Sequence, residues 1–373
     1  MPSCEDDTVR QIDNIVVAKT ARDRIDAYAS FINAYRDLPS THPSLQTLWS
    51  LQNLATVAQS VEHDVAEEGD SIVLNALRIA GFYLNRMDGQ NSVEANLTLE
   101  NLVDVILARA KKAIAEGNPQ VLTACLWAVG IAQLSPRFLA SHVKDIMELV
   151  LPVLNGRPSE LRSDSAKSEA IAVINKLLNV VPSVFVTPVY VRQWLPQVLS
   201  LMVHPSRPIA PRAASVVEEL VRDDRRAIER KLISDWFEHN GEKLVAKLVE
   251  GTYPGSEDTL KVWRVAVAVL GSSLHRTNHF NSLIKVVEKS FNEKAPSAKI
   301  AAYTAWYSVI HCFFQNDHIL NTKRLNLVLL PVVERLKLPE DSDGVTRTAL
   351  GCWIGTVLCF GKAGRWRQPY SKF

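Results

Sequence analysis

Three apolar runs in this sequence carry a Leu-Pro dipeptide inside an otherwise helical pattern: Leu151-Pro-Val-Leu154, Leu195-Pro-Gln-Val-Leu199 and Leu330-Pro-Val-Val333. Their prolines, Pro152, Pro196 and Pro331, stand 44 and then 135 residues apart, the second interval being three times 45. Apolar helical segments without the proline fall near Val61, Leu107, Ala246 and Val287, close to the remaining multiples. A recurring interval of this size points to one supersecondary unit used repeatedly, because a single unit that short buries too little apolar surface to fold alone.

Each of these helices is followed at a steady offset by a second one rich in small residues, over 71–84, 119–134, 159–178, 209–221, 257–270, 297–314 and 345–360. The clearest is the stretch 296–314. There Ala298, Ala302, Ala305, Val309 and Cys312 form one stripe at three-and-four spacing, and Tyr303, Trp306, Ile310 and Phe313 form another beside it. So wide an apolar surface needs more than one neighbour, which places the helix inside a stack. The expected fold class is therefore all-α, an α-solenoid of about seven HEAT/armadillo-like helix pairs with a period near 45 residues.

Start and stop signals support these divisions. Asn118-Pro119 and Ser135-Pro136 each set a capping side chain before a proline at the first helical position, and Ser256 precedes Glu257 and Asp258. Asn155-Gly-Arg-Pro158, His204-Pro-Ser-Arg-Pro208 and Tyr253-Pro-Gly255 read as connectors. Pro182 and Pro188 turn the one strand-like run, 184–191, into a linker. Residues 1–18 read as a disordered acidic start, and 20–38 as a first helix with Ile25, Tyr28, Ala29, Ile32 and Tyr35 inward, ended by Pro39. A single solenoid over 19–360 and a basic flexible tail over 361–373 complete the expected organisation. The last helix is apolar nearly all round, from Leu350 to Phe360, and reads as a repeat awaiting its successor, so that the chain is expected to be a truncated member of its family.

Charge is nearly balanced, with 42 basic and 40 acidic residues, but unevenly placed. Residues 1–70 hold twelve acids and five bases, which leaves 28 acids and 37 bases, a balance of +9, for the rest. That excess favours an anionic partner for the later part. The five cysteines, Cys4, Cys125, Cys312, Cys352 and Cys359, are odd in number and lack a CxxC spacing, as expected of reduced, buried thiols. The most membrane-like run, 121–134, is interrupted by Thr123 and Gln133 and falls short of the roughly 17 to 25 residues a spanning helix requires. A soluble, intracellular protein with no signal peptide is expected.

In the second half the residues carry a resemblance. The run Leu260-Lys-Val-Trp263, then Leu270-Gly271, Leu274-His-Arg276, Phe280-Asn-Ser-Leu283, Ala295-Pro296, Lys299-Ile300, Ala305-Trp306, Ile310, Phe314 and Lys323-Arg-Leu325 resembles the N-terminal solenoid of the telomere-associated Rap-interacting factor family. Similarity extends upstream through Ala124-Cys-Leu-Trp127 and the segment from Leu195-Pro196 to Val203-His204. The resemblance implies a nuclear, non-enzymatic scaffold at telomeres and chromatin that binds duplex DNA and chromatin proteins. It also implies restraint of replication origin firing through type 1 protein phosphatase, and effects on telomere length and double-strand break repair. The basic-Val-x-Phe and Ser-Ile-Leu-Lys docking motifs for that phosphatase are absent from this chain.

No catalytic constellation emerges, and no cofactor, small-molecule substrate or membrane partner is expected. Gly69-Asp-Ser71 resembles the opening of an esterase motif, yet no later Asp-x-x-His exists to activate the serine, so Asp70 or Ser71 is expected to cap a helix. His275 and His279 flank a turn at Arg276-Thr-Asn278, without the further ligands a metal site needs. Basic residues recur near the starts of the second helices: Arg162 and Lys167, Arg207 and Arg212, Lys261 and Arg264, Lys299, and Arg347. Singly, each reads as a rung pairing with an acid of the same or preceding repeat. Together, unpaired members would form a stripe along a phosphate backbone, which makes Arg207, Arg212, Lys261, Arg264, Lys299, Lys323 and Arg324 the candidate DNA contacts. The alternative is an adaptor that holds a peptide or helix on its concave face without binding DNA.

Overall fold

The computed structural model describes residues 4–39, 42–67, 69–86, 92–206, 208–222, 227–250, 257–271, 274, 280–314, 322–337 and 343–362. The fold is an all-α solenoid of stacked helix pairs, and no strand occurs among the described residues. The helices of the first part are α1 (Cys4–Val17), α2 (Ala21–Tyr35), α3 (Pro43–Leu48), α4 (Leu51–Ala66), α5 (Asp70–Leu84), α6 (Val93–Glu116), α7 (Pro119–Ile131), α8 (Pro136–Asn155), α9 (Asp164–Val180) and α10 (Pro182–Phe185). Those that follow are α11 (Pro188–Leu201), α12 (Ile209–Arg222), α13 (Ala227–Glu250), α14 (Glu257–Leu270), α15 (Phe280–Phe291), α16 (Pro296–Phe314), α17 (Thr322–Lys337) and α18 (Asp343–Lys362). All three Leu-Pro prolines lie inside first helices, Pro152 in α8, Pro196 in α11 and Pro331 in α17. The chain divides into two compact units, residues 1–190 and 191–373.

In the first unit α2, α5, α7 and α9 stack side by side as one layer, and α4, α6 and α8 as the other. Hydrogen bonds set the register. Asn118 Nδ2 donates to Asp70 Oδ2 at 2.8 Å at the starts of α7 and α5, and Gln133 donates through its backbone N to Leu84 O at 2.8 Å at their ends. The two helices therefore run parallel, with residues one repeat apart lying side by side. Capping follows the sequence at Asn118 and Ser135, whose side chains accept from Val121 N and Phe138 N. The first helices α6 and α8 both end on a left-handed glycine, Gly117 at φ 67° and Gly156 at φ 60°, where any side chain would strain the turn.

Two expectations at the front of the chain are corrected. The acidic start is a helix over Cys4–Val17, because Thr8, Ile12 and Ile15 form a buried stripe at three-and-four spacing while Asp7 and Asp13 face outward. It pairs with α2 and adds a helix pair ahead of the expected ones. On α2 the inward residues are Ala27, Tyr28, Phe31 and Tyr35, whereas Ala29 is exposed. The face is rotated because Phe31 stacks edge-on to Phe82 of α5 at 5.6 Å and packs on Tyr83.

The second unit repeats the plan: α12, α14, α16 and α18 stack as one layer, and α13–α14, α15–α16 and α17–α18 pair across. Helix α16 touches α14, α15, α17 and α18, as its two stripes require. Ala302, Ala305 and Val309 of one stripe and Tyr303, Trp306 and Ile310 of the other are all buried. Trp263 Nε1 donates to Leu283 O at 2.7 Å and Trp306 Nε1 to Val328 O at 2.8 Å, so these two tryptophans tie α14 and α16 to the first helix of the next pair. Burial pushes the Cys125 and Cys312 thiols up to about 12, which keeps them protonated. Cys312 Sγ donates to Val267 O at 3.4 Å, and Cys352 Sγ to Tyr303 O at 3.0 Å.

Candidate nucleic-acid interface

Parallel stacking decides where the basic residues go. In the second unit Gly344 of α18 faces Ile300 of α16 near their starts, and Gly355 faces Tyr307 further along. Matching turns of successive second helices therefore lie along one edge of the layer. Arg212 in the first turn of α12, Lys261 early in α14, Lys299 early in α16 and Arg347 early in α18 fall on that edge. Arg212 and Arg347 are exposed, and Lys261 and Lys299 are half-buried. Exposed Glu257 and Asp258 share the edge at the start of α14, so its charge is mixed.

Arg264 forms a bond between repeats. Its Nη2 donates to Glu218 Oε1 of α12 at 2.7 Å, joining consecutive repeats as a structural rung. In the first unit Arg162 turns back on its own chain, with Nε donating to Gly156 O at 3.4 Å, while Lys167 sits half-buried in the first turn of α9. Arg207 lies outside the described residues, as do His275 and His279. Lys323 and Arg324 open α17, where only the backbone is described.

Asp70 does not cap α5. Gly69 holds the cap position without a side-chain bond, and Asp70 instead accepts from Asn118 and lies 3.8 Å from the buried guanidinium of Arg109. Among the described residues no three His, Cys, Asp or Glu side chains gather as a metal site, and no helix is long and apolar enough to cross a membrane.

A feature the sequence reading missed lies in the first unit. An open cleft of about 300 Å³ crosses the α5–α7–α9 layer beside the half-buried ring of Trp127. Gly81 of α5 seats that ring. A Cβ there would meet the Trp127 ring at 2.4 Å, so only glycine leaves room for the indole against the neighbouring helix.

The family described as Rap1-interacting factor 1 N terminal matches residues 17–360. Among curated relatives, the telomere-associated protein RIF1 of Mus musculus is 26% identical over 288 residues, covering 75% of this chain and 11% of that protein. The telomere length regulator protein rif1 of Schizosaccharomyces pombe is 27% identical over 180 residues, covering 44% of this chain and 12% of its own. The chain thus spans about a tenth of the length of the curated relatives it matches. Among solved structures, the Rif1 N-terminal domain from Saccharomyces cerevisiae in complex with DNA aligns over 95% of this chain and 38% of that one, with a TM-score of 0.60 at 12% identity. Importin beta aligns over 98% of this chain and 51% of its own, with a TM-score of 0.59 at 14% identity. At such identities these two likenesses speak for the solenoid fold alone.

Proposed function

The chain belongs to the Rap1-interacting factor 1 N-terminal family, and from that membership we propose that it is a non-catalytic scaffold that binds duplex DNA through backbone phosphates. The observation that carries this reading is the edge of the second unit where Arg212, Lys261, Lys299 and Arg347 recur at the starts of parallel helices. The first turns of those helices also direct backbone amides toward the same edge, and both features attract phosphate. The yeast relative solved in complex with DNA supports the reading by analogy. Residence at telomeres and chromatin in the nucleus, with effects on telomere length, replication timing and break repair, follows as part of the proposal. A partnership with type 1 phosphatase rests on resemblance alone.

Salt dependence tests it. If several phosphates are neutralised, log affinity for duplex DNA falls by about 0.9 per contact with log salt, with little preference among sequences. Replacing Arg212, Lys261 and Lys299 together by Glu should abolish binding while leaving helicity unchanged. Binding that ignores salt, or its absence at low salt, would overturn the proposal.

A further inference from the structure

We infer that the cleft beside Trp127 is a docking site for a short extended peptide segment carrying one bulky apolar side chain with an acidic residue beside it. Leu74 and Leu77 of α5 and Ala124 and Trp127 of α7 form its apolar wall, and its volume of about 300 Å³ is enough for one large anchor and part of a backbone. This site is separate from the basic edge and independent of the DNA reading.

Charge on the rim selects the occupant. Arg78 of α5 is exposed at the cleft, with its guanidinium steadied by Nη1 donating to Asn75 Oδ1 at 3.1 Å. On the opposite side stands Glu169 of α9. A carboxylate beside the anchor meets complementary charge at Arg78. Packed helices lie about 8 to 10 Å apart, so crossing from α5 to α9 takes about 20 Å, the reach of about six extended residues. An apolar side chain that leaves water here supplies affinity, and the Arg78 contact sets which neighbour of the anchor carries the carboxylate.

Panning the full chain against a phage-displayed library of random 12-residue peptides tests the site. The expected enrichment is for a large aliphatic or aromatic residue next to Asp or Glu. With Arg78→Glu the enriched neighbour should change to Lys or Arg. Ala124→Trp, which fills the cleft, should weaken a selected peptide by about tenfold or more with circular dichroism unchanged. The same two variants should bind duplex DNA as the parent does, which separates failure here from failure of the scaffold proposal. No enrichment, enrichment indifferent to both variants, or binding of an apolar dye without any peptide would overturn the inference.

Discussion

Arg264 of α14 donates to Glu218 of α12 at 2.7 Å across 46 residues of sequence, so the pair joins matching places in consecutive helix pairs. Both side chains are about a third exposed, at 30% and 29%, so water screens the pair without dissolving it. A half-exposed charged hydrogen bond of this kind contributes about 1 kcal/mol. Arg264→Ala and Glu218→Ala should each cost about that much in urea denaturation, and the double variant should cost less than their sum. Full additivity would mean that the rung is not formed in solution.

Trp306 is 3% exposed and meets Phe291 edge-on at 5.6 Å while its Nε1 donates to Val328 O. Trp306→Ala should cost roughly 3 to 5 kcal/mol, since neighbours on α15 and α17 cannot both close on the space. Because each pair depends on the next, hydrogen exchange should accelerate in α15 and α17 as well as in α16. Loss of protection confined to α16 would contradict the stacked arrangement.

The stripes of α16 and the three internal prolines were legible because helical period and recurrence are properties of the chain itself. What escaped was decided by contact between repeats. Nothing local marks Gly81 as the seat of the Trp127 ring, and Asp70 looks like a cap until Asn118 of the following repeat takes its carboxylate. The acidic surface of α1 masked a stripe of only Thr8, Ile12 and Ile15. Basic residues were found by position, but whether one is a rung depends on an acid 46 residues away, as Arg264 demonstrates.

Lys176 of α9 donates to Val129 O and Ala132 O at the end of α7, and burial pushes its ammonium down to about 8. A lysine whose folded value lies below its unfolded one of about 10.4 binds fewer protons when folded, so its contribution to stability rises with pH between those values. The wild type should therefore gain on Lys176→Met from pH 8 to pH 10 in paired urea titrations. A constant difference across that window would mean that the two carbonyls and the C-terminal dipole of α7 hold the ammonium charged as firmly as water does.

Two glycines four residues apart on α18 should respond in opposite directions. A Cβ at Gly355 would lie 2.2 Å from the Tyr307 ring of α16, while one at Gly351 meets nothing within 4 Å. Gly355→Ala forces the ring or the helix to move and should cost about 1 to 3 kcal/mol. Gly351→Ala removes backbone freedom from the unfolded chain at a helical position with open space, and should stabilise by up to about 1 kcal/mol. Thermal melts of the two variants decide the packing of α18 on α16: a loss at Gly351 equal to that at Gly355 would mean that the contact extends a full turn further toward the start of α18, and a neutral Gly355→Ala would mean that Tyr307 does not rest there.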